Sequence, residues 1–89
     1  MIRYSIIVHG RVQGVGFRYF TAMQAMKFHL TGWCRNMSDG TVSIEIQGFE
    51  TDISSFIAAI KKGNGFCIVE EIKVNNIPVE ENCTRYKIM

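Results

Sequence analysis

The sequence predicts an α+β fold of the split β-α-β, ferredoxin-like type, with two helices on one face of an antiparallel sheet. Three observations carry that prediction. The chain opens on a strand-like alternation, Ile2, Tyr4, Ile6 and Val8 against Arg3, Ser5, Ile7 and His9. Two later segments carry apolar residues at helical spacing. Asp39-Gly40 sits between two strand-like runs, as in a tight hairpin turn. The resulting order is β-α-β-β-α-β, the split βαβ arrangement.

Each element follows from its own pattern. After the first strand and a glycine-rich stretch, Phe17, Phe20, Met23, Met26 and Leu30 recur at spacings of three and four. That stripe predicts an amphipathic helix with those residues in the core. Thr31 to Met37 reads as the second strand, followed by the turn Ser38-Asp39-Gly40. Thr41 to Gln47 alternates without a fault, which predicts a third strand with Thr41, Ser43, Glu45 and Gln47 on a solvated face. Ile53, Phe56, Ile57 and Ile60 mark a second helix, with Thr51 as N-cap, Asp52 in the first turn, Lys61 and Lys62 in the last, and Gly63 as the stop. Phe66 to Val74 is a fourth strand whose alternation changes phase between Val69 and Ile72, so a bulge is expected near Glu70 and Glu71. Pro78 and the acids after it form a loop, and Tyr86 and Ile88 suggest a short closing strand.

Composition limits what such a chain can do. Its 89 residues suit one domain, 1–89, and 47% are apolar, too many for disorder. Ten basic and eight acidic residues leave a net charge of +2, too balanced for a broad nucleic-acid-binding surface. Arg3, Arg11, Arg18 and Arg35 all lie in the first half, which fits a local positive pocket for a small anion. Cys34, Cys67 and Cys83 are odd in number and lack metal-site spacing, so free thiols in a reducing cytoplasm are expected; one bridge with a thiol left over is the alternative. No apolar run is long enough to span a membrane.

Gly10-Arg11-Val12-Gln13-Gly14-Val15-Gly16-Phe17-Arg18 is the most informative stretch. It links a strand to a helix, and its glycines let main-chain N–H groups turn toward one point. The helix N-terminus adds partial positive charge, and Arg18 brings five donors in a rigid fork. Such a loop suits a tetrahedral oxyanion such as phosphate. It lacks the third glycine of a dinucleotide fingerprint and the Gly-Lys pair of a P-loop. It matches an RNA-binding signature at Gly14, Gly16, Phe17 and Phe20 but fails at Gln13, Val15 and Arg18.

A second segment sharpens the reading. Gly10 to Arg18 meets the pattern G-x-V-Q-G-V-x-F-R. Gly32-Trp33-Cys34-Arg35-Asn36, three residues, Gly40-Thr41-Val42, five residues, then Gly48 meets a second pattern. Together, in this order, they resemble the acylphosphatase family. The resemblance implies hydrolysis of a carboxyl–phosphate anhydride to carboxylate and inorganic phosphate, without metal, cofactor or covalent intermediate. It places Arg18 on the phosphoryl oxygens and Asn36 on the attacking water. Arg11, Val12, Gln13, Gly14, Val15, Gly16 and Phe17 would cradle phosphate through their backbone. The expected partners are a small acyl phosphate and inorganic phosphate, with no nucleic acid and no membrane, and the expected protein is a free-standing cytoplasmic monomer. Two departures from the family pattern stand out: Cys34 fills a small apolar position, and Gly63-Asn64-Gly65 follows the second helix where many relatives carry proline.

The chemistry is consistent with so sparse a site. Neither arginine nor asparagine is a general base at neutral pH. An acyl phosphate does not need one, because its carboxylate leaving group has a pKa of about 4. His9 reads as an exposed strand-end residue, Arg35 as field or solvated charge, and Tyr19 and Trp33 as packing residues. Two alternatives compete. A single-stranded RNA-binding module would need stacking aromatics on the open sheet face, and the third strand offers none. The other is an acylphosphatase-like domain of a larger carbamoyl-phosphate-handling protein.

Overall fold

The computed structural model describes residues 1–89, with β1 (Ile2–Arg11), α1 (Phe17–Lys27), β2 (Thr31–Asn36), β3 (Val42–Gly48), α2 (Glu50–Lys62), β4 (Ile68–Ile77) and β5 (Tyr86–Ile88). The strands form one sheet in the order β4-β1-β3-β2-β5. The first four pair antiparallel, as expected. The closing strand corrects the expectation of a wholly antiparallel sheet, because β5 lies parallel to β2. β4 ends at the end of the sheet where β2 begins. The chain crosses there to the far edge, so β5 starts beside the start of β2 and runs with it.

The core lies between the sheet and the helices. Ile6, Val8, Cys34, Val42, Ile44 and Ile46 meet Phe17 and Ala25 of α1 and Ile53, Phe56 and Ile60 of α2. The stripe expected on α1 holds at Phe17 and Phe20 and is corrected at Met23 and Met26. Met23 and Met26 are exposed (53% and 78%), and Thr21 and Ala25 are buried in their place. Small residues at spacings of four let the helix lie close to the sheet, where a methionine would not fit. Leu30 is buried from outside the helix, which closes with Leu30 N–H donating to Ala25 O (2.8 Å) across His29 in the left-handed region (φ 58°). On α2 the expected apolar face holds, but Phe49, not Thr51, is the N-cap. It offers no capping side chain, and Glu50 and Asp52 supply favourable charge to the first turn.

The expected bulge is present. His9 pairs with Glu71 and Gly10 with Val69, leaving Glu70 as the extra residue. A Cβ on Gly10 would fall on Ile68 O, so this crossing tolerates only glycine.

The polar face of β3 is not solvated as expected. Thr41, Ser43 and Gln47 are buried. At the start of β1 the crossover to β5 passes over this face and is sewn to it. Gln47 Nε2 donates to Glu80 O (2.9 Å) and Gln47 Oε1 accepts from Glu80 N–H (2.9 Å). Arg3, 1% exposed, donates through Nε and Nη2 to Glu45 Oε1 (3.0 and 2.9 Å) and through Nη1 to Gln47 Oε1 (3.1 Å), and its Nη2 lies 3.5 Å from Glu80 Oε2. Burial disfavours its charge, but the neighbouring Cys83, the hydrogen bonds to Glu45 and the charge of Glu80 outweigh that and hold its pKa above the ordinary arginine value.

The β2–β3 turn is closed by Asp39, whose Oδ1 accepts from Thr41 N–H (3.0 Å) and Thr41 Oγ1 (2.7 Å). These bonds hold the Asp39 carboxyl below its ordinary pKa.

Arg3→Met should lower unfolding stability by about 2–3 kcal/mol in urea titration. That is less than the roughly 3–5 kcal/mol of a dry ion pair, because Glu45 and Glu80 keep contact with water. A change within about 0.5 kcal/mol contradicts the staple. Asp39 favours the folded state when charged. Its contribution is present above the carboxylate's unfolded pKa and is lost as pH falls through the lower folded value. The urea-midpoint deficit of Asp39→Ala should therefore hold at neutral pH and shrink toward about pH 2. A deficit independent of pH counts against it.

Candidate active site

β1, β2 and β5 all finish at one end of the sheet, and the residues singled out from sequence converge there. Residues 12–16 connect β1 to α1. Val12 and Phe17 are buried and Val15 packs against the core, so three apolar side chains pin this loop from beneath. Its main chain is left outward. Gly14 and Gly16 take left-handed φ values of 74° and 76°, which L side chains adopt only at a cost. Gly16 is also the N-cap of α1, with no capping side chain and no acid in the first turn. The first N–H groups of a helix have no intrahelical acceptor. Here they sit beside the left-handed glycines, an arrangement of main-chain donors suited to an anion.

Two side-chain amides hold the loop in place. Gln13 Nε2 donates to Met37 O (2.8 Å) and Thr41 O (2.9 Å), joining the loop to the β2–β3 turn. Asn64 Nδ2 donates to Val15 O (3.0 Å) from the turn after α2.

Asn36 is the last residue of β2. Side chains alternate along a strand, so Asn36 shares the helix-side face with buried Cys34. Its Oδ1 is buried without a hydrogen-bond partner in the chain. An orphan acceptor of this kind costs about 1–3 kcal/mol. The next residue, Met37, receives the Gln13 bond, so loop and asparagine are held in one piece.

Arg18 lies in the first turn of α1, half-buried, with Nη1 donating to the main-chain oxygen of Met89 (2.8 Å). Met89 N–H in turn donates to Cys34 O (2.8 Å), two residues before Asn36. The helix beneath Arg18 is tied to β5: Thr21 Oγ1 donates to Arg18 O (2.8 Å) and lies 2.9 Å from the Tyr86 hydroxyl. Burial, with a lesser contribution from Cys34, pushes the Tyr86 phenol far up, so it stays protonated as a hydrogen-bonding partner.

Arg11 is exposed on the rim. His9 is half-exposed, its Nε2 4.0 Å from Glu71 Oε1. Arg35 lies 5.4 Å over the Trp33 ring on the opposite sheet face. Tyr19 is 66% exposed, which corrects its reading as a packing residue. The three cysteines are free thiols. No three His, Cys, Asp or Glu side chains gather in a metal-holding group. The larger surface cavity, about 410 Å³, is at the other end of the sheet beside Arg3, Trp33, Cys83 and Arg85, away from the loop. The side-chain roles of Gln13 and Asn64 and the main-chain role of Met89 escaped the sequence reading. The first was read only as backbone, the second only as a turn, and the third carries no motif.

Comparison with known proteins identifies the family. The family model described as Acylphosphatase matches residues 4–88. An acylphosphatase of Clostridium beijerinckii is 54% identical over 88 residues, covering 99% of this chain and 98% of the relative. The crystal structure of acylphosphatase from Bacillus subtilis superposes with a TM-score of 0.95 at 46% identity, covering 100% of this chain and 99% of that one. A crystal structure of full-length HypF in a phosphate- and nucleotide-bound form matches at a TM-score of 0.91 and 37% identity, but over only 12% of its own length. With that coverage, that identity and both motifs in one site, this chain belongs to the acylphosphatase family.

Proposed function

We propose that this chain hydrolyses small acyl phosphates without a metal, with Arg18 and the loop from Arg11 to Phe17 binding the phosphoryl group and Asn36 positioning water. The observation that carries the reading is the buried, unpartnered Oδ1 of Asn36, held beside an uncapped helix N-terminus and a half-buried arginine. An anion-binding nest next to an acceptor for a water proton is what in-line attack on phosphorus requires.

The step balances on those groups. Main-chain N–H groups of the loop and the Arg18 fork hold the phosphoryl oxygens. One Arg18 donor is engaged by Met89, which fixes the fork's direction and leaves others for substrate. Asn36 Oδ1 accepts from water and orients its oxygen toward phosphorus. As the new P–O bond forms, the P–O bond to the acyl carbon's oxygen breaks and the carboxylate leaves with the electron pair. The water's proton passes to a phosphate oxygen. Positioning and charge stabilisation supply the catalysis, and the leaving group, with a conjugate acid of pKa about 4, needs no proton.

The remaining features favour a small-molecule enzyme. No helix is long and apolar enough to cross a membrane, and the free thiols suit a cytoplasmic setting. The β4–β5 crossover lies over part of the sheet face that a single-stranded RNA-binding module would use. We read residues 1–89 as one monomeric domain acting on acyl phosphates, with no nucleic-acid partner.

Purified protein should hydrolyse a model acyl phosphate at the same rate with and without EDTA. Loss on chelation, restored by a divalent ion, contradicts the metal-free reading. Alkyl phosphate monoesters should react slower by orders of magnitude, since no acid is placed for an alkoxide; comparable kcat/KM for both refutes the mechanism. Arg18→Ala should abolish both turnover and competitive inhibition by inorganic phosphate. Asn36→Ala should lower kcat at least about a hundredfold, close to 3 kcal/mol of transition-state stabilisation, with phosphate Ki within several-fold of the parent. If Asn36→Ala loses phosphate binding as fully as Arg18→Ala, Asn36 is a phosphate ligand and the water role is wrong.

A further inference from the structure

We infer that Asn64 is a positioning residue for the phosphate-binding loop, acting from outside both sequence motifs; this rests on the phosphate site proposed above. Gly63-Asn64-Gly65 would need only a turn if its task were to join α2 to β4. The side chain does more. Asn64 Oδ1 accepts from Phe66 N–H (2.9 Å) and Cys67 N–H (3.0 Å), closing the turn on itself. Its Nδ2 donates to Val15 O (3.0 Å), across a separation of 49 residues. One amide therefore closes a local turn with its acceptor and holds the loop with its donor.

The donor end has a directional consequence. In a trans peptide the carbonyl and the following N–H point to opposite sides of the chain, and this chain has no cis peptide. Drawing Val15 O toward Asn64 aims the Gly16 N–H the other way, out of the turn. Gly16, in its left-handed conformation, is the pivot between the loop and α1. Without the bond the Val15–Gly16 peptide, next to a residue with no side chain, has little else to set its rotation. Gln13 fixes the loop on the β2–β3 side. Asn64 fixes it on the α2 side, so the nest is braced from both flanks. Tightened binding of phosphate follows from that preorganisation.

Two variants separate the donor from the acceptor. Asn64→Asp keeps an oxygen to close the turn and loses the N–H donor to Val15 O. Asn64→Ala loses both. Phosphate Ki and KM for an acyl phosphate should rise about tenfold in each variant, the scale one hydrogen bond supports. Because the loop holds the phosphoryl group before and during reaction, kcat should change less than about threefold. Tm should fall clearly only in Asn64→Ala. A merely structural role reverses this: Asn64→Asp would keep parent Ki, and Asn64→Ala would lose Tm alone. The new carboxylate of Asn64→Asp is controlled by salt. Its Ki ratio to the parent should persist at about 0.5 M KCl, where exposed charges are screened. A ratio that collapses to unity there, or Ki within about twofold of the parent at low salt, overturns the inference while leaving the proposed function standing. A parent protein that itself fails to bind phosphate overturns both.

Discussion

One side-chain amide joins the two halves of the proposed site. Gln13 Nε2 spans Met37 O and Thr41 O at 2.8 and 2.9 Å, and so attaches a glycine-rich loop to a strand turn far along the chain. Glycines make the loop able to present N–H groups, but they also make it free to do otherwise. The apolar residues Val12, Val15 and Phe17 anchor its underside without fixing the rotation of its peptides. Gln13 removes that freedom on one flank, and it does so through the carbonyl of the residue after Asn36. The proposed anion nest and the unpartnered Asn36 oxygen are thereby linked by the same contact, and Thr41, the second acceptor, is itself fixed by Asp39.

The placement of the site follows from the sheet. β1 and β2 both end at the loop, and β5, entering the edge parallel to β2, brings Met89 to the same place. Arg18 is oriented by that terminal segment and by Thr21 and Tyr86 beneath it. At the other end Arg3 fastens the crossover that allows β5 to reach the far edge. Structural polar groups and site polar groups are thus separated by the length of the strands. The site spends few residues because its substrate class is reactive. A carboxylate leaves unaided, so geometry and fixed dipoles suffice.

Much of this was legible in the sequence, for reasons that can be named. Alternation in β1 and β3, the Asp39-Gly40 turn and the phase change at Glu70–Glu71 are local signals, and the structure carries each of them. The two motifs singled out the loop, Arg18 and Asn36, which the structure brings to one end of the sheet. What was not legible depends on neighbours far along the chain. Met23 and Met26 keep helical spacing yet face outward, because Thr21 and Ala25 offer the closer approach to the sheet. Gln47 looks like part of a solvated stripe until the crossover covers it. The direction of β5 is set by where β4 ends, which no short-range pattern encodes. Asn64 reads as a turn residue, since the carbonyl it reaches lies 49 positions earlier.

We place the phosphate receptor in the main chain between Gly14 and Arg18. Nitrogen-edited NMR of the parent protein, titrated with inorganic phosphate, tests it most directly. The largest amide shifts are expected at Gly14, Val15, Gly16, Phe17 and Arg18, with the Asn36 side-chain amide responding and the cluster of Arg3, Arg85 and Lys87 that lines the larger cavity unmoved. Saturable shifts centred on that cluster, with the loop amides unchanged, would contradict it.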